Sequence, residues 1–310
     1  GQNAENVRAV ERREPAPVLW GYDTSCVDVF DSARPRGAIC VLDRSIGHPR
    51  ALRQILERER AAFPEFFLGD IGVPSDAAIA EADREIASAD HIVTGSRFCA
   101  DTVLQAGAST DKVHIVPYGY DEALFADQRP SRPELGSLPV RFLFVGTVSP
   151  RKGAHYLFEA FRRIPREQAT LAVAGPLAMP RQAMARYHGH VDYLGPLSRA
   201  QVAEQFARAH CLIFPSLFEG GGIVLYEAIA AGLGIVNSRA TGDAVRADGA
   251  NGITLDTVNA DTIVAAVQAI LHRPEMLRAW SDASWAMRQE NSWQAYRRRI
   301  AELLPSLTAG

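Results

Sequence analysis

The chain has 310 residues and a formal net charge of −3, with 47% hydrophobic and 22% charged residues. This length predicts about two domains, and the near-neutral charge argues against the electrostatic attraction on which nucleic-acid binding depends. The four cysteines lack the spacing of metal ligands, no apolar run reaches the length of a membrane span, and the amino terminus is polar. We therefore expect a cytoplasmic globular protein without a metal site.

The first part of the chain alternates strand patterns with helix patterns, which predicts a parallel sheet. The predicted strands are residues 17–22, 38–43, 91–96 and 113–118, and the predicted helices are residues 25–33, 49–67, 78–89 and 97–106. Parallel sheets bind ligands at the carboxyl ends of their strands. Five residues there are candidates for one side of a ligand-binding cleft: Tyr22, Asp23, Asp43, Arg44 and His48. Of these, His48 is the candidate catalytic residue, and the alternative is an ordinary surface histidine.

Residues 49–67 combine four arginines with six large apolar side chains. Such a pattern is typical of a helix that lies on a membrane surface or contacts an acceptor. Glu57, Glu59 and Glu65 dilute the positive charge, so we favour a surface helix whose apolar face packs on the core.

The prolines and polar residues of the stretch 127–139 indicate a linker, which places a domain boundary near residue 138. A strand at 140–145, a loop through Gly153 and a helix from Ala154 follow, and Lys152 in the loop is expected to point into the cleft. Further strands are predicted at 169–174, 191–194, 211–214, 234–237 and 253–255. The turn at 241–243 resembles a helix start, and helices are predicted at 260–271, 275–288 and 292–304.

The stretch Pro215–Gly232 joins the apolar strand at 211–214 to a helix through three consecutive glycines. The amides of Gly222, Ile223 and Val224 are expected to be free at the positive end of that helix, which favours a phosphate. Glu219 and Glu227 flank this turn, and carboxylates accept hydrogen bonds from vicinal hydroxyls. A phosphate together with diols suggests a nucleotide sugar.

Two glutamates separated by seven residues, with a glycine-rich turn between them, resemble the signature of the retaining GT-B glycosyltransferases of family 4, the glycosyl transferases group 1. The resemblance implies that Glu219 lies against the transferred sugar, that Glu227 holds the ribose, and that Lys152 neutralises the diphosphate. Thr147 occupies the position of the family's usual arginine, and Arg151 is its candidate replacement. The other implied donor-binding residues are Gly146, Leu194, Gly195, Gly221, Gly222, Ile223 and Val224.

The resemblance implies an α/β GT-B architecture of two Rossmann-like, doubly wound domains that face a cleft. We expect an acceptor-side domain at 1–138, a donor-binding domain at 139–290, and a helix at 291–310 that crosses back to the first domain. The acceptor-side domain is expected to be incomplete, because only four strands precede the linker and residues 1–16 offer none. An open sheet edge of this kind predicts self-association.

The expected activity is that of a retaining hexosyltransferase in glycan or polysaccharide biosynthesis. The donor is a UDP- or GDP-linked sugar, the acceptor is a sugar, glycan or lipid-linked hydroxyl, and no cofactor is required. A contact with the inner face of the membrane fits a lipid-linked acceptor.

Two alternatives stay open. A catalytically weakened nucleotide-sugar-binding subunit would explain Thr147 at the arginine position and the absence of the glycine-rich loop with which the family's first domain usually opens. A dinucleotide-dependent oxidoreductase would use a similar fold, although no GxGxxG follows a strand.

Overall fold

The structure is a computed structural model that describes residues 17–125, 129–132 and 137–308. Within these residues, four parallel strands form a first sheet in the order β1-β2-β3-β4. They are β1 (Val18–Tyr22), β2 (Ile39–Arg44), β3 (His91–Thr94) and β4 (Val113–Ile115). Val18 pairs with Ile39, and Val41 pairs with His91. We call the part built on this sheet the first domain.

Three of the four helices of the first domain begin at a residue whose side chain accepts a hydrogen bond from a free backbone amide. The four helices are α1 (Val27–Ala33), α2 (Pro49–Ala62), α3 (Asp76–Ser88) and α4 (Arg97–Gln105). His48, Ser75 and Ser96 each accept a hydrogen bond from an amide in the first turn of the following helix. These caps fix the starts of α2, α3 and α4. The core between the helices and one face of the sheet includes Phe30, Leu42 and Ile92.

A second sheet of six parallel strands, in the order β10-β9-β8-β5-β6-β7, organises the second domain within the described residues. Its strands are β5 (Val140–Val145), β6 (Ala169–Ala174), β7 (Asp192–Gly195), β8 (Cys211–Phe214), β9 (Gly234–Ser238) and β10 (Gly252–Leu255). Val140 pairs with Ala169, and Cys211 pairs with Gly234. All four residues of β8 are buried, as expected for a central strand that is covered on both faces.

The second domain is covered on both faces by helices whose apolar sides form one continuous core with the sheet. They are α5 (Ala154–Arg162), α6 (Arg181–Ala185), α7 (Arg199–Arg208), α8 (Ile223–Ala230), α9 (Ala260–His272) and α10 (Met276–Met287). The sequence did not predict α6 and α7. The helix start expected at 241–243 is wrong, because a 3₁₀ turn, Arg239–Thr241, is followed by Gly242 at a φ of 112°.

The last helix, α11 (Trp293–Leu307), packs on the first sheet although it follows the second domain in sequence. Tyr296 and Ile300 lie against the cluster that contains Val41 and Val93. Beside it, the Trp293 amide donates to the Tyr120 carbonyl at 3.1 Å, so the two connections between the domains run together. The domain boundaries at 138 and 290 stay predictions.

The expectations for residues 1–16, and for linker residues 126–128 and 133–136, lie outside the described part of the chain. Between those linker gaps, the Arg132 guanidinium is buried and donates to the carbonyls of Phe206, Ala209 and Ala231. In the part that the structure describes, no helix is both long enough and apolar enough to cross a membrane.

Candidate active site

The carboxylate of Glu219 is the point on which three polar side chains converge. It lies in the turn between β8 and α8 and is 8% exposed. Its Oε1 lies 2.5 Å from the Lys152 Nζ and 3.1 Å from an Arg151 guanidinium nitrogen, and the Ser216 hydroxyl donates to it at 2.6 Å. Two cations and a hydroxyl therefore surround one buried carboxylate oxygen. The structure therefore brings together Glu219, Lys152 and Arg151, which the sequence singled out separately.

Lys152 reaches Glu219 because its loop lies directly on the end of β8. Gly153, at a φ of 68°, follows Lys152, and a Cβ there would come within 2.1 Å of the Pro215 carbonyl oxygen. Only glycine allows this approach. Burial lowers the pKa of Lys152, and the Glu219 charge opposes that shift. Its ammonium group also lies 4.8 Å from the centroid of the Phe214 ring. Lys152 is thus a partly desolvated cation beside the glycine-rich turn.

The amino terminus of α8 supplies fewer free amides than the sequence suggested. Gly222 is the N-cap residue, but its amide donates to the Thr241 carbonyl at 3.0 Å, so the expectation that it is free is wrong. The amides of Ile223 and Val224 have no hydrogen-bond acceptor among the described residues. These two donors, at the positive end of the helix dipole, remain suited to an anion.

Glu227 lies on the second turn of α8 and is half-buried. Burial raises the pKa of its carboxyl, the Arg199 charge lowers it, and the Asp121 charge raises it. Arg199 and Asp121 pair with each other at 3.5 Å. No described side chain or amide donates a hydrogen bond to Glu227. Its oxygens are therefore available to the hydroxyls of a ligand.

The other candidate donor residues line the carboxyl ends of β5 and β7. Gly146 packs closely on Gly175, which follows β6. A Cβ added at Gly175 would lie only 2.0 Å from the Gly146 carbonyl oxygen. Thr147 lies half-buried beside Arg151. At the end of β7, the Leu194 side chain is 38% exposed and Gly195 has a φ of 71°. Their contact with a nucleotide base stays a prediction.

His48 is buried and caps the start of α2. Its imidazole is 1% exposed, its Nδ1 accepts from the Arg50 amide at the start of α2, and its Nε2 lies 3.1 Å from the Asp83 Oδ1. Burial and the nearby Arg44 charge lower its pKa to about 4. The expectation of a surface histidine is therefore wrong, and the catalytic role stays a prediction.

Two other acceptor-side candidates are also buried. The Asp43 carboxylate accepts from the Trp20 indole at 3.0 Å, and burial raises its pKa. The Arg44 guanidinium lies 3.3 Å from Glu85. These side chains hold the first domain together, whereas Tyr22 is 62% exposed.

The two domains touch at the glycine-rich turn itself. A Cβ on Gly220 would come within 1.8 Å of the Ser45 carbonyl oxygen, and one on Gly47 within 2.6 Å of the Phe218 ring. The Ser96 hydroxyl donates to the Gly220 carbonyl. Sequence reasoning missed Ser45, Gly47 and Ser96, although their position just after strands β2 and β3 was a signal that could have found them.

A family model described as glycosyl transferases group 1 matches residues 129–286, which is about half of the chain. The chain belongs to the glycosyl transferases group 1. This membership covers most of the second domain and includes the Glu219 cluster, and it confirms the resemblance on which the sequence analysis relied.

Among curated relatives of this chain, a D-inositol 3-phosphate glycosyltransferase of Xylanimonas cellulosilytica is 30% identical over 209 residues, which are 61% of this chain and 50% of the relative. A GDP-mannose-dependent alpha-(1-6)-phosphatidylinositol monomannoside mannosyltransferase of Mycolicibacterium smegmatis is 28% identical over 70% of this chain and 62% of the relative. The chain spans about half the length of the first curated relatives that it matches.

Solved structures share the fold of this chain. A sucrose-phosphate synthase from Thermosynechococcus elongatus superposes with a TM-score of 0.74 at 18% identity, over 98% of this chain and 77% of that one. The Anabaena protein HepE, in complex with UDP and glucose, superposes with a TM-score of 0.68 at 17% identity, over 98% and 81%. The chain therefore has the GT-B architecture of two Rossmann-like domains, as predicted.

Proposed function

We propose that this chain is a retaining glycosyltransferase that moves a hexose from a nucleoside-diphosphate sugar to a hydroxyl acceptor. The observation that carries the proposal is the Glu219 cluster beside the amides of Ile223 and Val224, which donate to no group in the described part of the chain. It offers a buried carboxylate for sugar hydroxyls, cations for a diphosphate and a helix terminus for its oxygens.

Each group has a part in the proposed reaction. Glu227 holds the ribose hydroxyls, and the base lies against Leu194 and Gly195. Lys152, with the amides of Ile223 and Val224, binds the diphosphate and stabilises the charge that it gains. The acceptor oxygen forms a bond to the anomeric carbon as the bond to the diphosphate breaks, and the acceptor proton passes to a leaving diphosphate oxygen. Attack and departure on the same face retain the configuration.

The relatives support a UDP or GDP donor. The name of the Mycolicibacterium smegmatis relative specifies GDP-mannose, and HepE was solved with UDP and glucose and with UDP-glucose. One of the two grounds for the weakened-subunit alternative was Thr147, which stands where the family usually has an arginine. Arg151 lies 3.1 Å from Glu219, so a second cation is present, which favours an active enzyme. Membership of a glycosyltransferase family likewise disfavours an oxidoreductase.

Thermal unfolding with UDP, GDP, ADP and NAD tests the proposal. A ligand at about a hundred times its dissociation constant adds roughly 2.7 kcal/mol to the unfolding free energy, which raises Tm by several degrees. We expect one nucleoside diphosphate to raise Tm and Glu227→Ala to abolish that rise. Glu204→Ala, on the exposed face of α7, is the matched control and is expected to retain it. A rise with NAD alone, or with none of the four, would overturn the donor site.

A further inference from the structure

An apolar slot of about 210 Å³ lies between the two domains, next to the Glu219 cluster. Its floor includes Leu56 on α2 and Phe66, each only 4% exposed. The second domain contributes the hydroxyls of Thr147 and Ser149 together with Pro150, Arg151 and Ala178. The apolar part of the slot therefore comes mainly from the first domain, and its polar groups come from the second.

The rim of the slot exposes large apolar side chains to solvent. Ile71 is 73% exposed and Leu68 is 42% exposed. Phe67, which also lines the slot, is half-buried. An exposed apolar cluster that borders a cavity marks a surface that binds a ligand. Neither Leu68 nor Ile71 is among the buried residues that form the hydrophobic cores of the described chain.

Arg151 connects this slot to the proposed reaction centre. It lines the slot, and its guanidinium donates to the Phe218 carbonyl at 2.7 Å and to Glu219 at 3.1 Å. If the polar end of a molecule contacts Arg151 and Glu219, its other end therefore lies against the apolar surface of the slot. A purely polar saccharide would leave that surface uncovered.

The charges near the slot do not favour a membrane surface as its occupant. Three of the four arginines of α2 form ion pairs with carboxylates: Arg50 with Asp83, Arg53 with Asp76, and Arg60 with Asp70. Binding to anionic lipid headgroups needs unpaired basic residues beside the apolar ones. A discrete amphiphile needs only the slot and a polar contact at its inner end.

We infer that the acceptor is amphipathic, with its hydroxyl-bearing head at Arg151 and Glu219 and an alkyl or aryl group in the slot. The inference rests on the proposed function, because it takes the Glu219 cluster as the place of sugar transfer. It narrows the acceptor to hydroxyl compounds that carry an apolar group.

A series of alkyl β-D-glucosides tests the slot with defined probes. Methyl, butyl, hexyl and octyl glucoside, each below its critical micelle concentration, are titrated into the full chain by calorimetry or ligand-observed NMR. Each methylene that enters the slot is expected to tighten binding about fourfold. Affinity that does not depend on chain length would overturn the inference.

Rim variants locate the binding. Ile71→Glu and Leu68→Glu change exposed side chains and are expected to leave Tm nearly unchanged while they abolish the chain-length dependence. Val29→Glu, on the exposed face of α1, is the matched control because Val29 is 49% exposed and does not line the slot. Equal loss in the control would overturn the assignment to this slot.

Two further measurements separate the outcomes. If the nucleoside diphosphate still raises Tm but no chain-length dependence exists, the acceptor class is wrong and the transferase proposal survives. If no nucleotide binds but the dependence is present and lost in Ile71→Glu, the donor assignment fails while the apolar site stands. Co-sedimentation with phosphatidylglycerol vesicles that is lost in Ile71→Glu would assign the slot to a membrane surface and overturn the inference.

Discussion

The Lys152 Nζ and the Glu219 Oε1 lie 2.5 Å apart, although the two residues belong to different strand-to-helix loops. Their side chains are only 12% and 10% exposed, so this ion pair is much less screened than one on the surface. The pair ties the loop after β5 to the loop after β8, where the proposed diphosphate and sugar sites meet. An arriving diphosphate would share the lysine with Glu219.

Replacing Lys152 tests this pair. Because Arg151 and Ser216 still contact Glu219, we expect Lys152→Gln to remain folded, while kcat falls by roughly a hundredfold or more through loss of charge stabilisation on the leaving group. Single-turnover kinetics and a urea titration check the two expectations. Lys112→Gln is the control. The Lys112 ammonium donates a hydrogen bond to the Ala89 carbonyl in the first domain and does not contact the Glu219 cluster. A variant with an unchanged kcat would contradict the role of Lys152.

The contact between Gly220 and Ser45 predicts a graded response to added methyl groups. In Gly220→Ala the new Cβ would lie 1.8 Å from a backbone oxygen, so the domains must separate. In Gly221→Ala the nearest atoms, on the Tyr118 ring and the Gly95 oxygen, lie at 3.0 and 3.1 Å, so a small adjustment suffices.

We therefore expect Gly220→Ala to lose on the order of a hundredfold in kcat, since a displacement of about 1 Å at a reaction centre has that effect. Gly221→Ala is expected to lose much less. Small-angle X-ray scattering should detect a larger radius of gyration for Gly220→Ala alone. Equal activities of the two variants would show that this contact does not matter for the reaction.

Most strands and helices could be predicted from periodicity, because their bounds follow from local patterns. The predicted strand at 140–145 and the observed β5 coincide, and the apolar run of β8 is likewise local. Helix α7 was missed because Val202 and Phe206 are its only large apolar residues. Its capping box, Ser198 with Gln201, was a signal that could have found it.

The candidate site was predictable as a set of residues but not as a set of contacts. Gly222 was expected to offer a free amide, and its acceptor, Thr241, lies on another loop that no local pattern identifies. That loop is held by Asn237, which donates to Thr241 and to the Gly242 carbonyl and so prevents the expected helix. Such side-chain to backbone bonds depend on tertiary structure.

Breaking the buried ion pair Arg44–Glu85 is expected to lower the unfolding free energy more than breaking a surface ion pair does. Arg44 is 3% exposed and Glu85 is 1% exposed, and Arg44 also donates to the Ile46 carbonyl at 3.1 Å. Removing one partner leaves a buried charge, which typically costs about 3 to 5 kcal/mol. We expect Arg44→Met to lower the unfolding free energy by an amount in that range.

The double variant Arg44→Met/Glu85→Met is expected to be more stable than Arg44→Met alone, because it also removes the buried carboxylate that has lost its cation. Urea titrations of the wild type, Arg44→Met, Glu85→Met and the double variant complete the double-mutant cycle. The exposed pair Arg163–Asp261 is the control, and its loss should change little. Strictly additive effects at Arg44 and Glu85 would contradict a coupled pair.

His48 predicts a loss of stability in mild acid. Its pKa is about 4 in the folded chain and about 6.5 when unperturbed. Between these values the unfolded chain binds a proton that the folded chain does not, so stability is lost as the pH falls from about 6.5 towards 4 and is unaffected by His48 above that range. The groups that face the imidazole are Arg44, Arg50 and Asp83.

A substitution that keeps the cap but removes the titration isolates this effect. Asparagine accepts the Arg50 amide as an N-cap residue and does not ionise, so His48→Asn should flatten the acid limb of the stability curve by roughly 2 to 3 kcal/mol between pH 6.5 and 4. Its stability at pH 7.5 is expected to fall, because the smaller side chain fills less of a buried site. Only the slope of stability against pH therefore reports on protonation of His48.

His188→Asn, at an exposed position, should retain the wild-type slope. Urea titrations at four pH values distinguish the curves. If His48→Asn and the wild type lose stability in parallel from pH 6.5 to 4, the imidazole is not buried in its neutral form, and a position facing the cleft, where it could act on a substrate, becomes the better account of this residue.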